Sequence, residues 1–238
     1  MVFKNKTSRA QIRFNKLIKN VFDARLWNNI VTTKFNKRSK RDLFIHIFKS
    51  ALIAGNSIYF VLLAMSISVA NYSYGYNMIT NVVSDLGGSY ATSMPFIFDT
   101  VCIMGGLLMI PLFYMISAWL STKDGRISWV VFRSGIIGTI GFIFVGIFSM
   151  DRGGPHQILH GIAALFAFGG FMLSAFFLGI YLIKQKNSKI RYFGYFGIFF
   201  PFIMVILWGV CLISLFEWLL FLSLQGFTFP FNLKVLIR

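Results

Sequence analysis

The chain has 238 residues, of which 57% are hydrophobic and only 13% charged, with a mean hydropathy of +0.72. A soluble domain carries about a quarter charged residues, and one aqueous core cannot hide this much apolar surface. Composition therefore excludes an ordinary soluble globule and points to a bilayer as the solvent. The net charge of +16 is uneven: twelve of the 23 Lys and Arg lie between Lys4 and Arg41, where the one acid is Asp23, and Asp42 follows directly.

Residues 1–43 read as a basic cytoplasmic arm. Phe14, Leu17, Ile18, Val21 and Phe22 recur at helical spacing with Lys16, Lys19 and Arg25 among and after them, which fits either an amphipathic helix lying on a membrane surface or a disordered basic tail. A basic arm beside a first span predicts contact with anionic lipid head groups. No nucleic-acid module accompanies it, so no nucleic-acid partner is expected. Nothing after Met1 has the apolar core and cleavage site of a signal peptide.

Residues 44–238 predict an all-α, polytopic transmembrane bundle of six spans. The spans are Phe44–Ala70, Ile97–Leu120, Trp129–Met150, His156–Ile183, Tyr195–Ile213 and Phe216–Ile237, with Glu217 expected at the turn between the last two. Pro155 suits a first helical position, and Gly135, Gly138, Gly141 and Gly146 allow close approach of a neighbouring helix. Lys123 and Arg126 in the second loop and Lys184, Lys186, Lys189 and Arg191 in the fourth favour the inner side. Six spans also return Lys234 and Arg238 to that side. Both termini are then cytoplasmic in a cell-membrane protein. Cys102 and Cys211 fall in separate apolar segments and do not suggest a disulfide framework.

Between the first two spans lies a polar island, Asn77–Pro95, without Lys or Arg and rimmed by Tyr72, Tyr74 and Tyr76. Topology gathers the candidate site on this outer side: Asn81, Ser84, Asp85 and Gly87 in the island, Asp99 at the start of the second span, Asp151 in the next outer loop, and His156 and His160 in the fourth span. The two histidines, four residues apart, share a helix face. With Asp85 or Asp151 they are the residue types a zinc or similar ion needs. A purely structural network also fits: Asp85 capping a turn, Asp151 paired with Arg152, and His160 bonded to Asp99, Asp85 or Ser84. The motifs of serine-hydrolase elbows, zincins, Walker loops and dinucleotide folds are missing from the sequence.

Asn81, Ser84, Asp85, Leu86 and Gly87, followed by Pro95 and the Gly105–Gly106 pair, resemble the first motif of the six-helix prokaryotic membrane family catalogued as domain of unknown function 998. The stretch Val145–Gly170, with Asp151 and His156, is similar to its second motif, and the resemblance spans about residues 48–237. It implies a six-helix bundle in which Asn81, Ser84, Asp85, Gly87, Asp151, His156 and His160 are shared, without assigned roles. Two positions depart from the family pattern: Met94 replaces an Asn before the proline, and Trp218 replaces the Arg after Glu217.

The leading expectation is an integral membrane protein whose outward-facing Asn/Ser/Asp/His cluster binds a lipid or small polar ligand. One alternative is a metal-dependent intramembrane lipid hydrolase, with His156, His160 and Asp85 or Asp151 holding zinc and Ser84 orienting its water. A second is a small proton-coupled transporter using Asp99 and His160.

Overall fold

The structure, a computed structural model, describes residues 37–150 and 155–237. Among them the chain forms six α-helices, one 3-10 helix and no strand. In chain order these are α1 (Lys37–Tyr74), the 3-10 helix (Val83–Gly87), α2 (Phe96–Ser121), α3 (Gly125–Ile147), α4 (Pro155–Ile183), α5 (Ser188–Cys211) and α6 (Ser214–Ile237). The described residues from Ser50 onward make one compact unit. The amphipathic segment expected at Phe14–Arg25 and the loop residue Asp151 lie outside the described residues.

Five helical stretches are long and apolar enough to cross a membrane: Ser50–Tyr74, α2, α3, α4 and α5. α6 has 24 residues, about 36 Å at the α-helical rise, and is apolar over Ser214–Phe227. Helices are the form such sequences take, because the bilayer core offers no water to the backbone and each segment must bond its own N–H and C=O groups.

Local polar residues decide where the helices start. Asp124 Oδ1 accepts from the Arg126 and Ile127 amides, both at 3.1 Å, and starts α3. Asn187 Oδ1 accepts from the Lys189 and Ile190 amides at 2.9 and 3.4 Å. That cap starts α5 at Ser188 rather than at Tyr195, so part of the expected basic loop is helix. α5 ends at Cys211, and Leu212, at φ 54°, turns the chain at once into α6. Glu217 is thereby in the first turn of α6 and buried, not in the turn before it.

In α1 the buried side chains Leu52, Asn56, Tyr59, Leu63, Ser66 and Ala70 alternate steps of four and three, the seam of left-handed helix packing. Tyr59 rests against Gly105 of α2, and its hydroxyl accepts from Gln225 Nε2 of α6 at 3.1 Å. α3 and α4 meet through small residues: a Cβ at Gly170 would run into the Gly138 backbone, and one at Gly141 into that of Ala167. Gly179 and Gly194 bring α4 and α5 together in the same way.

An aromatic chain runs through the bundle: Tyr76, Trp218, Phe221, Phe142, Phe171 and Phe113, with successive ring centroids 5.8–6.2 Å apart. It ties the polar loop to α6, α3, α4 and α2. The outward faces carry exposed Ile, Leu, Phe and Val, among them Ile58, Leu107, Phe166 and Val210, as a surface solvated by lipid requires.

Candidate functional site

The polar island folds around the 3-10 helix. Asp85 holds it from within: its carboxylate accepts from the Val82 amide at 3.1 Å, from Asn81 Nδ2 at 3.4 Å and from the Tyr90 hydroxyl at 2.6 Å. Asn81 Oδ1 in turn accepts from the Asn77 amide and the Thr80 hydroxyl. These are the bonds by which Asx side chains compete with regular structure and build tight turns.

Two side chains of α6 dock this turn onto the bundle. The Glu217 carboxylate accepts from the backbone amides of Val83 and Ser84, donors that the start of a helix leaves without an intrahelical partner. Trp218 Nε1 donates to the Tyr76 hydroxyl and the Asn81 carbonyl, each at 3.1 Å, and the Tyr76 hydroxyl donates to the Val82 carbonyl at 2.7 Å. On the other side, Ser149 donates to the Gly87 carbonyl at 2.8 Å. Gly87 is packed against Phe98 and the Asp99 carboxylate; a Cβ there would lie 3.3 Å from Asp99 Oδ1. A glycine at this position lets the loop sit down on α2.

Electrostatics follow from this packing. Burial above all raises the Tyr76 phenol well above its ordinary value; the Trp218 donor partly offsets this, and the charges of Asp85 and Glu217 add to it. Burial, with the Asp85 carboxylate beside it, also holds Tyr90 protonated well above the usual range.

The histidines do something other than expected. His160 Nδ1 lies 2.8 Å from the Phe148 carbonyl, so its partner is the end of α3 and not Asp99, Asp85 or Ser84. His156 places its ring 6.2 Å from that of Phe148. The pair thus straddles Phe148, one at its carbonyl and one at its ring, and seats the start of α4 on α3. His156 Nδ1 and His160 Nε2 are buried without a hydrogen-bond partner among the described residues. No group of three His, Cys, Asp or Glu stands close enough to hold a metal ion among the described residues. His156, His160 and Asp85 are therefore not gathered into the expected ligand set, and Asp151 falls outside the described residues.

Below the docked turn is a cavity of about 490 Å³, within the roughly 300–1,000 Å³ of small-ligand sites. Ser84, Glu217, His160 and Gln157 line its polar end; Phe142, Phe168, Phe171, Leu220, Phe221 and Leu224 form most of the rest. Leu165 and Trp208 belong both to the lining and to the outer surface, Leu165 with 71% of its area exposed. The cavity thus reaches the side of the bundle between α4 and α5.

Of the residues expected from sequence, the structure brings Asn81, Ser84, Asp85, Gly87 and Asp99 together, and joins Ser84 and His160 in one cavity wall. Glu217, Trp218, Tyr76, Tyr90 and Ser149 belong to the site and were not singled out for it. A carboxylate inside an otherwise apolar run is the signal that marks Glu217. The others carry no local sign.

Six helices among the described residues, five of them with the length and apolarity of membrane spans, make the chain a multi-pass α-helical membrane protein. It belongs to the family described as protein of unknown function (DUF998), whose model matches residues 57–229. The match runs from α1 into α6 and contains every described residue of the site. No curated protein and no solved structure matches the chain.

Proposed function

We propose that this protein binds an amphiphile from the membrane, with the head group at Ser84, Glu217 and His160 and the apolar chain among Phe142, Phe171, Leu220 and Phe221. The observation that carries this reading is the cavity itself, apolar over most of its wall and polar at the end closed by the docked turn. The side opening at Leu165 and Trp208 supports entry from the lipid phase, where such a ligand is concentrated. The basic loops and an island without Lys or Arg support a cell-membrane topology with both termini cytoplasmic and the site outward. Anionic head groups are the natural partners of the arm between Lys4 and Arg41.

A single substitution tests the reading. Gly169 lines the cavity, and nothing lies within 4 Å of a Cβ added there. Gly169→Leu fills the space and replaces a glycine in mid-helix, so the variant folds at least as well as wild type. Lipid extracted from the purified wild type contains about one tightly retained amphiphile per chain, and the variant loses it. Equal retention by both proteins overturns the reading.

A further inference from the structure

Resting on the reading of the cavity as an amphiphile site, we propose that it selects single-chain amphiphiles whose head group donates hydrogen bonds and carries no negative charge, an amine or a hydroxyl. The argument is an inventory of donors and acceptors at the polar end.

His160 supplies an acceptor. The Phe148 carbonyl facing Nδ1 at 2.8 Å can only accept, so Nδ1 carries the ring proton. Nε2 has no hydrogen-bond partner among the described residues, and burial of the ring disfavours a second proton there. The ring is therefore neutral, with its lone pair at Nε2. That atom is buried in a residue only 5% exposed and has no partner among the described residues. A buried acceptor of this kind costs about 1–3 kcal/mol until a donor meets it.

Glu217 supplies further acceptors. Its two oxygens receive the Val83 and Ser84 amides and keep lone pairs to spare, since a carboxylate offers about four acceptor sites. It is also the only charged side chain of the described lining. No Lys or Arg lines the cavity among the described residues, and none occurs between Asn71 and Pro95; Arg152 falls outside the described residues. An anionic head would sit beside Glu217, with Asp85 close enough to interact with Glu217 electrostatically, and without a cation to offset the repulsion. The start of α6 does not supply one, because Glu217 already occupies its first turn. Ser84, Gln157 and Gln225 can donate or accept, so they do not oppose the polarity set by Glu217 and His160.

The depth of the cavity sets the chain class. Along α6, Glu217 and Gln225 are separated by eight residues, about 12 Å; along α4, His160 and Phe171 by eleven, about 16 Å. That is room for one medium-length chain and too little for a two-chain lipid within about 490 Å³.

The test is competition in native mass spectrometry of the full chain, released from a non-ionic detergent at pH 8, with equimolar dodecylamine, 1-dodecanoylglycerol and dodecyl phosphate. The expected result is retention of the amine and the glyceride at least about tenfold above the phosphate, the size of one charge-assisted hydrogen bond. Glu217→Gln then lowers retention of the amine by about tenfold relative to the glyceride. Should that variant fail to fold, the ranking of probes on wild type decides alone. Equal or stronger retention of dodecyl phosphate overturns the head-group inference and leaves the amphiphile reading standing. If no probe is retained, or if Gly169→Leu retains them as wild type does, the amphiphile reading falls and this inference with it.

Discussion

Glu217→Ala is the perturbation that separates a docked loop from one that merely lies nearby. In the structure one carboxylate satisfies two backbone donors, the amides of Val83 and Ser84, and Val83 is 4% exposed. A buried donor stripped of its acceptor costs about 1–3 kcal/mol. Val83 bears the full penalty; Ser84, half-buried at the cavity wall, recovers part of it from water. The loss comes to about 3 kcal/mol, which is roughly a hundredfold in the opening equilibrium of the turn. Glu217→Gln keeps an acceptor oxygen at the same reach and costs about 1 kcal/mol. Amide hydrogen exchange in detergent reads both: protection at Val83, Ser84 and Asp85 falls about a hundredfold in the Ala variant and under tenfold in the Gln variant, while α3 and α4 are unchanged. Unaltered exchange at these amides in Glu217→Ala would refute the docking role and leave the loop to Trp218 and Ser149.

Two neighbouring glycines of α4 provide a packing test with its own control. Gly170→Ala drives a Cβ into the Gly138 backbone and costs about 1–3 kcal/mol or more, whereas Gly169→Ala meets nothing within 4 Å and gains about 0.5–1 kcal/mol. Thermal unfolding in detergent should move in opposite directions, and equal midpoints would contradict the small-residue seam between α3 and α4. Tyr90→Phe removes the donor to Asp85 at 2.6 Å, a bond worth about 0.5–1 kcal/mol at a residue 56% exposed. Because the folded phenol is raised above its unfolded value of about 10, this contribution is complete below pH 10 and is lost only as pH climbs through the folded value. A wild-type advantage in melting temperature that already shrinks between about pH 6 and 9 would contradict that assignment.

Much of the architecture was legible in the chain itself. Long apolar runs broken by short polar segments dictate helices, since the bilayer leaves the backbone no other partner. The alternation of loops then brings Asn81, Ser84, Asp85, Asp99, His156 and His160 to one side. Asp85 as the organiser of its own turn was equally readable, because an Asx residue beside glycines acts over three to five positions. The start of α5 does not follow from the charge of KQKNSKIR; Asn187, the cap within that stretch, sets it at Ser188.

What only the tertiary structure decided is which polar atoms meet. Trp218 and Asn81 lie 137 residues apart, Ser149 and Gly87 62. No periodicity records such pairs. The four-residue spacing put His156 and His160 on one face, but that the face meets Phe148 depends on where α3 ends. The cavity is the clearest case. Its volume is what remains after the glycine seams of α3, α4 and α5 pull those helices together and Tyr59, Phe221 and Trp218 hold others apart. Hydrophobic pattern depends on each residue's own chemistry and is local, whereas empty space between helices depends on the shapes of side chains that first become neighbours when the bundle closes.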